Sequence, residues 1–150
     1  MGTSGKTTIK IVSHVIAWEI DMFEQFIIQL RKSIYYLPND VNIILDVTLN
    51  LSDYFIDWDA SLINRSFFIL KFDNILNKLK PYINCQTKII SDGCYGHLNS
   101  QRDAVGEDID YYILTTPDII FDEKLLAYYC EAVKSVKNEY FLITPQITKM

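Results

Sequence analysis

The sequence predicts an α/β fold: a three-layer α/β/α sandwich around a mostly parallel sheet. Short runs rich in apolar and β-branched residues alternate with stretches in which apolar residues recur at helical spacing. The run Val41-Asn42-Ile43-Ile44-Leu45-Asp46-Val47 is almost continuously apolar, as a strand covered on both faces should be. Each strand is separated from the next by enough chain for a helical crossover, and right-handed crossovers place helices on both faces of a parallel sheet.

Residues 1–7 form a polar Gly/Ser/Thr/Lys lead outside the fold, and residues 8–150 form one domain. Thr8–Val15 reads as the first strand. From Glu19 the period changes, with Met22, Phe23, Phe26, Ile27, Leu30 and Ile34 at helical spacing, and Pro38-Asn39-Asp40 ends that helix. The second strand, 41–47, leads into an irregular acidic and aromatic stretch holding Asp53, Asp57, Trp58 and Asp59. A helical pattern through Ile69, Phe72, Ile75, Leu76 and Leu79 stops at Pro81, and 87–91 forms the third strand, closed by Asp92-Gly93. A short helix spans 96–105 and the fourth strand 111–115. Asp122 caps a helix from Glu123 to Val136 whose buried face is Leu125, Leu126, Tyr129 and Val133. Tyr140–Ile143 closes the series as a short strand.

The totals narrow the function. A chain of 150 residues buries roughly two-thirds of its unfolded surface. With 10 Tyr and 8 Phe it has the apolar content of a folded domain. A net charge of -5 without a Lys/Arg cluster argues against a nucleic-acid surface. A diphosphate ligand stays open, because a metal can supply the charge locally. Cys85, Cys94 and Cys130 show no paired spacing and read as reduced thiols. No apolar run reaches the length of a membrane span, and the expected location is cytoplasmic. Gly2-Thr3-Ser4-Gly5-Lys6-Thr7-Thr8 imitates the end of a P-loop, but no strand precedes it and a strand follows, so amides cannot converge on a phosphate there.

In a parallel sheet the C-terminal strand ends share one edge, which is where ligands bind. That edge is expected to gather Ser13 and His14 from the first strand, Asp46 from the second, Asp92 from the third, and Thr116 and Asp118 from the fourth. Converging carboxylates repel one another unless a cation or a donor-rich ligand lies between them. Each aspartate has a plainer reading as a strand-ending turn residue that satisfies nearby amides.

The order of elements, with Ile43-Ile44-Leu45-Asp46, the short helix bearing Arg102-Asp103, the Gly106-Glu107-Asp108-Ile109-Asp110-Tyr111 lead and the Thr116-Pro117-Asp118 turn, resembles the nucleotide-sugar-binding half of GT-A glycosyltransferases of the family-2 type. The resemblance implies that Asp46 meets a nucleobase or ribose and that Arg102 matches the family's arginine, with Asp103 standing in for an asparagine. It places Thr116-Pro117-Asp118 at the DxD position, with Asp118 approaching a diphosphate through a divalent metal, Mn²⁺ or Mg²⁺. Thr116 replaces the first acid and is a poor metal ligand. Members of the family continue into an acceptor-binding half with the catalytic base; no segment here matches it. The resemblance therefore implies glycosyl transfer from a nucleotide-diphosphate sugar to an acceptor that the sequence does not specify. The alternative is a non-catalytic nucleotide-binding or protein-interaction module of the same fold.

Other residues have plainer readings. His14 is read as a structural histidine as readily as a base contact, His97 as a helix-start residue, Trp58 as a packing anchor, and Asp122-Glu123 as a helix cap. A receiver-like domain with Asp46 as phosphate acceptor would require an acidic pair where Ser13-His14 stands.

Overall fold

The computed structural model describes residues 5–52, 62–91, 93, 95–106 and 108–136. Its elements follow the order β1 (Thr7–Ile16), α1 (Ile20–Ile34), β2 (Val41–Asn50), α2 (Leu62–Leu76), β3 (Asn84–Ile90), α3 (Gly96–Asp103), β4 (Tyr111–Thr115) and α4 (Leu125–Ser135). The strands form one sheet in the order β3-β2-β1-β4, and every pairing is parallel. The expected α/β architecture with a parallel sheet is therefore observed. The expected strand at 140–143 and the residues around Trp58 lie outside the described residues.

The two faces of the sheet differ in chemistry. Alternate residues of a strand point to opposite sides. Ile9, Ile11 and Val15 of β1 and Ile43, Leu45, Val47 and Leu49 of β2 share the face covered by α1. There they pack with Phe23, Phe26, Ile27 and Leu30 of α1 and with Phe72, Ile75 and Leu76 of α2. The Phe23 ring stacks on Phe72 at 5.4 Å between centroids. From α4 the buried residues are Leu126 and Cys130. The opposite face carries Lys10, Val12 and His14 of β1 and Asp46, Thr48 and Asn50 of β2, and α3 lies over it. The apolar core is thus one-sided, and the polar residues of the strands are concentrated under α3.

Several element ends differ from expectation. β2 continues past Val47 to Asn50, because Asn50 finds a buried polar partner in His14 on the α3 side while Leu49 joins the core. β3 begins at Asn84 instead of Thr87; most of its side chains are exposed, so it carries little apolar signal. α4 starts at Leu125, two residues later than expected. Asp122 still satisfies a backbone donor, accepting the Lys124 N–H at 2.7 Å, but in the turn that precedes the helix. Met22, at core spacing in the sequence, is 49% exposed. Among the described residues no helix is long and apolar enough to cross a membrane.

Candidate site at the carboxyl edge of the sheet

The strand order fixes where a site can form. The chain steps from β1 outward through β2 to β3, then crosses to the other side of β1 to lay down β4. β1 and β4 pair as far as Ser13 and Thr115, which brings the turn after β4 beside the end of β1 at the carboxyl edge; both strands lead to helices on the α1 face, while β3 leads into α3 on the other.

This edge carries the Thr116-Pro117-Asp118 turn. Pro117 is buried, and Thr116 and Asp118 on either side of it are exposed. Facing them is Glu19, at the end of the short helical turn that follows β1. Its carboxylate accepts the Ile16 N–H at 3.1 Å, the reciprocal half of a capping box. Burial pushes the Glu19 carboxyl above its usual range. The Ile16 N–H works against that shift, the negative charge of Asp118 adds to it, and His97 opposes it. Glu19 was not among the expected site residues, although its place three residues after Ile16 is the capping-box spacing.

Under the start of α3 lies a histidine-amide seat. Asn50 Nδ2 lies 3.1 Å from His14 Nε2, and the His14 ring meets the His97 ring edge-on at 5.4 Å. Gln101 Nε2 lies 3.1 Å from His97 Nε2, and Asn50 Oδ1 accepts the Ser52 N–H at 3.0 Å. Gly96, the first residue of α3, sits directly over this pair: a Cβ there would collide with the Asn50 amide and lie 3.2 Å from His14 Nε2. His14 is 7% exposed, so its role here is to seat α3.

A groove of about 310 Å³ runs between α3 and the carboxyl end of β3. It is lined by Thr48, Lys88, Ser91, Asn99, Arg102 and Asp103, among others. Asp103 lies between the two cations, 3.5 Å from Arg102 Nε and 3.8 Å from Lys88 Nζ. The Arg102 side chain is 74% exposed, so these pairs are solvent-screened and leave the guanidinium able to meet an anion. A second hollow, of about 250 Å³ around Pro38 and Tyr82, lies at the opposite end of the sheet.

Asp46 stands apart from this edge. It lies four residues before the end of β2, 8% exposed, with its carboxylate 3.7 Å from Lys10 Nζ. Lys10 also donates to the Ala104 carbonyl at 2.9 Å. The expectation that Asp46 ends its strand at the rim is corrected by the longer β2 and by its pairing with a lysine from β1. Ser13 is likewise inside its strand: it shares the core face of β1, 1% exposed, and its hydroxyl has no hydrogen-bond partner. Asp92 lies outside the described residues. Of the expected residues, then, Thr116 and Asp118 stand exposed after β4, His14 is buried under α3, and Arg102 lines the groove.

Among the described residues no group of three His, Cys, Asp or Glu side chains is gathered to hold a metal ion. Glu19 and Asp118 are two carboxylates, fewer than such a group needs. Burial pushes the Cys85 and Cys130 thiols up, as expected for inert reduced cysteines.

Comparison with protein-family models, with curated proteins and with solved structures gave no match.

Proposed function

We propose that this domain binds a nucleotide-diphosphate sugar along the carboxyl edge of its sheet and acts as the donor-binding part of a glycosyltransferase. The observation that carries this reading is the pairing of two features on one edge. The Thr116-Pro117-Asp118 turn closes β4 beside the strand-order reversal, and the Arg102 groove opens at β3. About two interstrand spacings, roughly 10 Å, separate the β1/β4 edge from the β2/β3 groove. That span suits a nucleoside diphosphate lying across the edge, with its nucleoside in the groove and its phosphates toward the Thr116-Pro117-Asp118 turn. Asp46 is held by Lys10, so in this reading the nucleoside contacts come from Arg102, Asn99 and Ser91, all lining the groove. Resemblance to the glycosyltransferase pattern, resting on Thr116-Pro117-Asp118 and the Arg102 helix, supplies the choice of a sugar nucleotide over other phosphorylated ligands.

The chemical part of the domain would be to bind and orient the donor. Arg102 offers planar, multi-donor recognition of an anionic or carbonyl group. Asp118 would direct the diphosphate, through a divalent cation if one is recruited with the nucleotide. Incubation with a panel of UDP- and GDP-sugars, with and without Mn²⁺, tests the reading. Release of nucleoside diphosphate that is lost in Asp118→Ala supports transfer chemistry. Absence of nucleotide binding under every condition contradicts the whole proposal.

A non-catalytic nucleotide-binding module is the second reading, favoured by Thr116 standing where the resembled pattern has an acid. Nucleotide binding without turnover of any donor would select it.

A further inference from the structure

We infer that the buried Lys10–Asp46 pair is a positioning device: it seats α3, and through α3 it places the side chains that line the groove. Along its length α3 buries only Gly96 and Ser100, and Leu98 is 62% exposed. Apolar burial, which contributes in proportion to area, therefore holds this helix weakly. Its attachments are polar and lie at its two ends.

At the N-terminal end, Gly96 rests against Asn50 and His14. At the C-terminal end, Lys10 reaches up from β1 and donates to the Ala104 carbonyl at 2.9 Å. An ammonium on the last carbonyls of a helix satisfies an acceptor the helix cannot satisfy itself, and it complements the negative end of the macrodipole. That ammonium is buried, with a side chain 9% exposed, and would be costly alone. Asp46, 11% exposed and 3.7 Å away, compensates it.

Stability alone is a poor explanation for such a pair, because buried ion pairs can often be replaced by apolar side chains without loss. An apolar side chain cannot donate to the Ala104 carbonyl. The directional bond is what only the charged pair supplies. Its consequence for ligand binding rests on the nucleotide reading above; its consequence for α3 does not.

Lys10→Met strands Asp46 without its partner, so Lys10→Met/Asp46→Leu is the informative variant, with Lys10→Arg as the conservative control. Thermal unfolding and amide hydrogen exchange are measured on the full chain. In the double variant the unfolding temperature is expected to return near the wild-type value. Amides from Ser100 to Ala104 should still exchange about tenfold faster than in wild type, with β1 and β2 amides unchanged. Lys10→Arg should retain wild-type protection of α3. Wild-type exchange across α3 in the double variant would overturn the inference, and so would failure of that variant to recover stability. UDP titration supplies a separate readout, with weaker binding expected in the double variant than in wild type. If wild type itself does not bind UDP or GDP, the nucleotide reading fails and hydrogen exchange still decides the role of the pair.

Discussion

Asn50 and His14 approach to 3.1 Å from two strands in parallel register, and the first residue of α3 closes over both. Their contact sets how near the helix can come to the sheet. Asn50 is fully buried and also accepts the Ser52 N–H, so its amide has little freedom to move aside.

Gly96→Ala is therefore expected to destabilise the fold by about 1–2 kcal/mol through overpacking, despite the better helix propensity of alanine. Urea unfolding checks the sign. A stability gain would mean that the seat is looser than the contact implies.

Phe72 tests the core on the other face. It is fully buried and stacked on Phe23, and Phe72→Ala is expected to cost about 3–5 kcal/mol by urea unfolding. A cost below about 1 kcal/mol would contradict the packing of α2 on α1.

Glu19 gives a pH prediction. Its carboxyl is raised in the folded state, first by burial, so the folded chain holds that proton more tightly than the unfolded chain. The corresponding stability is fully present below the ordinary glutamate value and is lost as pH rises through the raised one. Wild type should lose stability relative to Glu19→Gln as pH rises from the ordinary glutamate range through the raised one. In Asp118→Asn that decline should be smaller and end at lower pH, because one of the charges raising Glu19 is gone. Parallel pH profiles for wild type and Glu19→Gln would show that Glu19 is not raised.

Arg102 and Asp118 are exposed, and their removal should leave the fold intact. Arg102→Ala and Asp118→Ala are each expected to unfold within about 0.5 kcal/mol of wild type. A large stability loss in either would mean that the side chain serves packing and not an open edge.

The legible parts of the fold were those with an apolar signature. Tyr111–Thr115 was readable to the residue, because Asp110 and Thr116-Pro117 bound an apolar run. The α1 pattern was readable because Phe23, Phe26, Ile27 and Leu30 are all core residues. The polar side of the sheet was not legible. An aspartate in an apolar run looks like a strand end, and only the β1–β2 pairing reveals that Lys10 can reach Asp46 and allow the strand to continue. Asn84 and Gln86 lie on a largely exposed strand and look like loop. For the candidate site, Thr116 and Asp118 could be chosen from the sequence because strand ends follow from order alone, and Arg102 from the resemblance of its helix to the glycosyltransferase pattern. Glu19, Lys88 and Asn99 could not, since their placement depends on which strands are neighbours.

One ligand is proposed to span the Asp118 turn and the Arg102 groove. The most direct test of this proposal is a titration of the wild-type chain with UDP and with GDP, with and without Mn²⁺, followed at backbone amides. Saturable shifts are expected both at Ser91, Asn99 and Arg102 and in the Asp118 turn, reduced in Arg102→Ala and in Asp118→Ala. No saturable shift with either nucleotide, or shifts confined to the hollow around Pro38 and Tyr82, would contradict it.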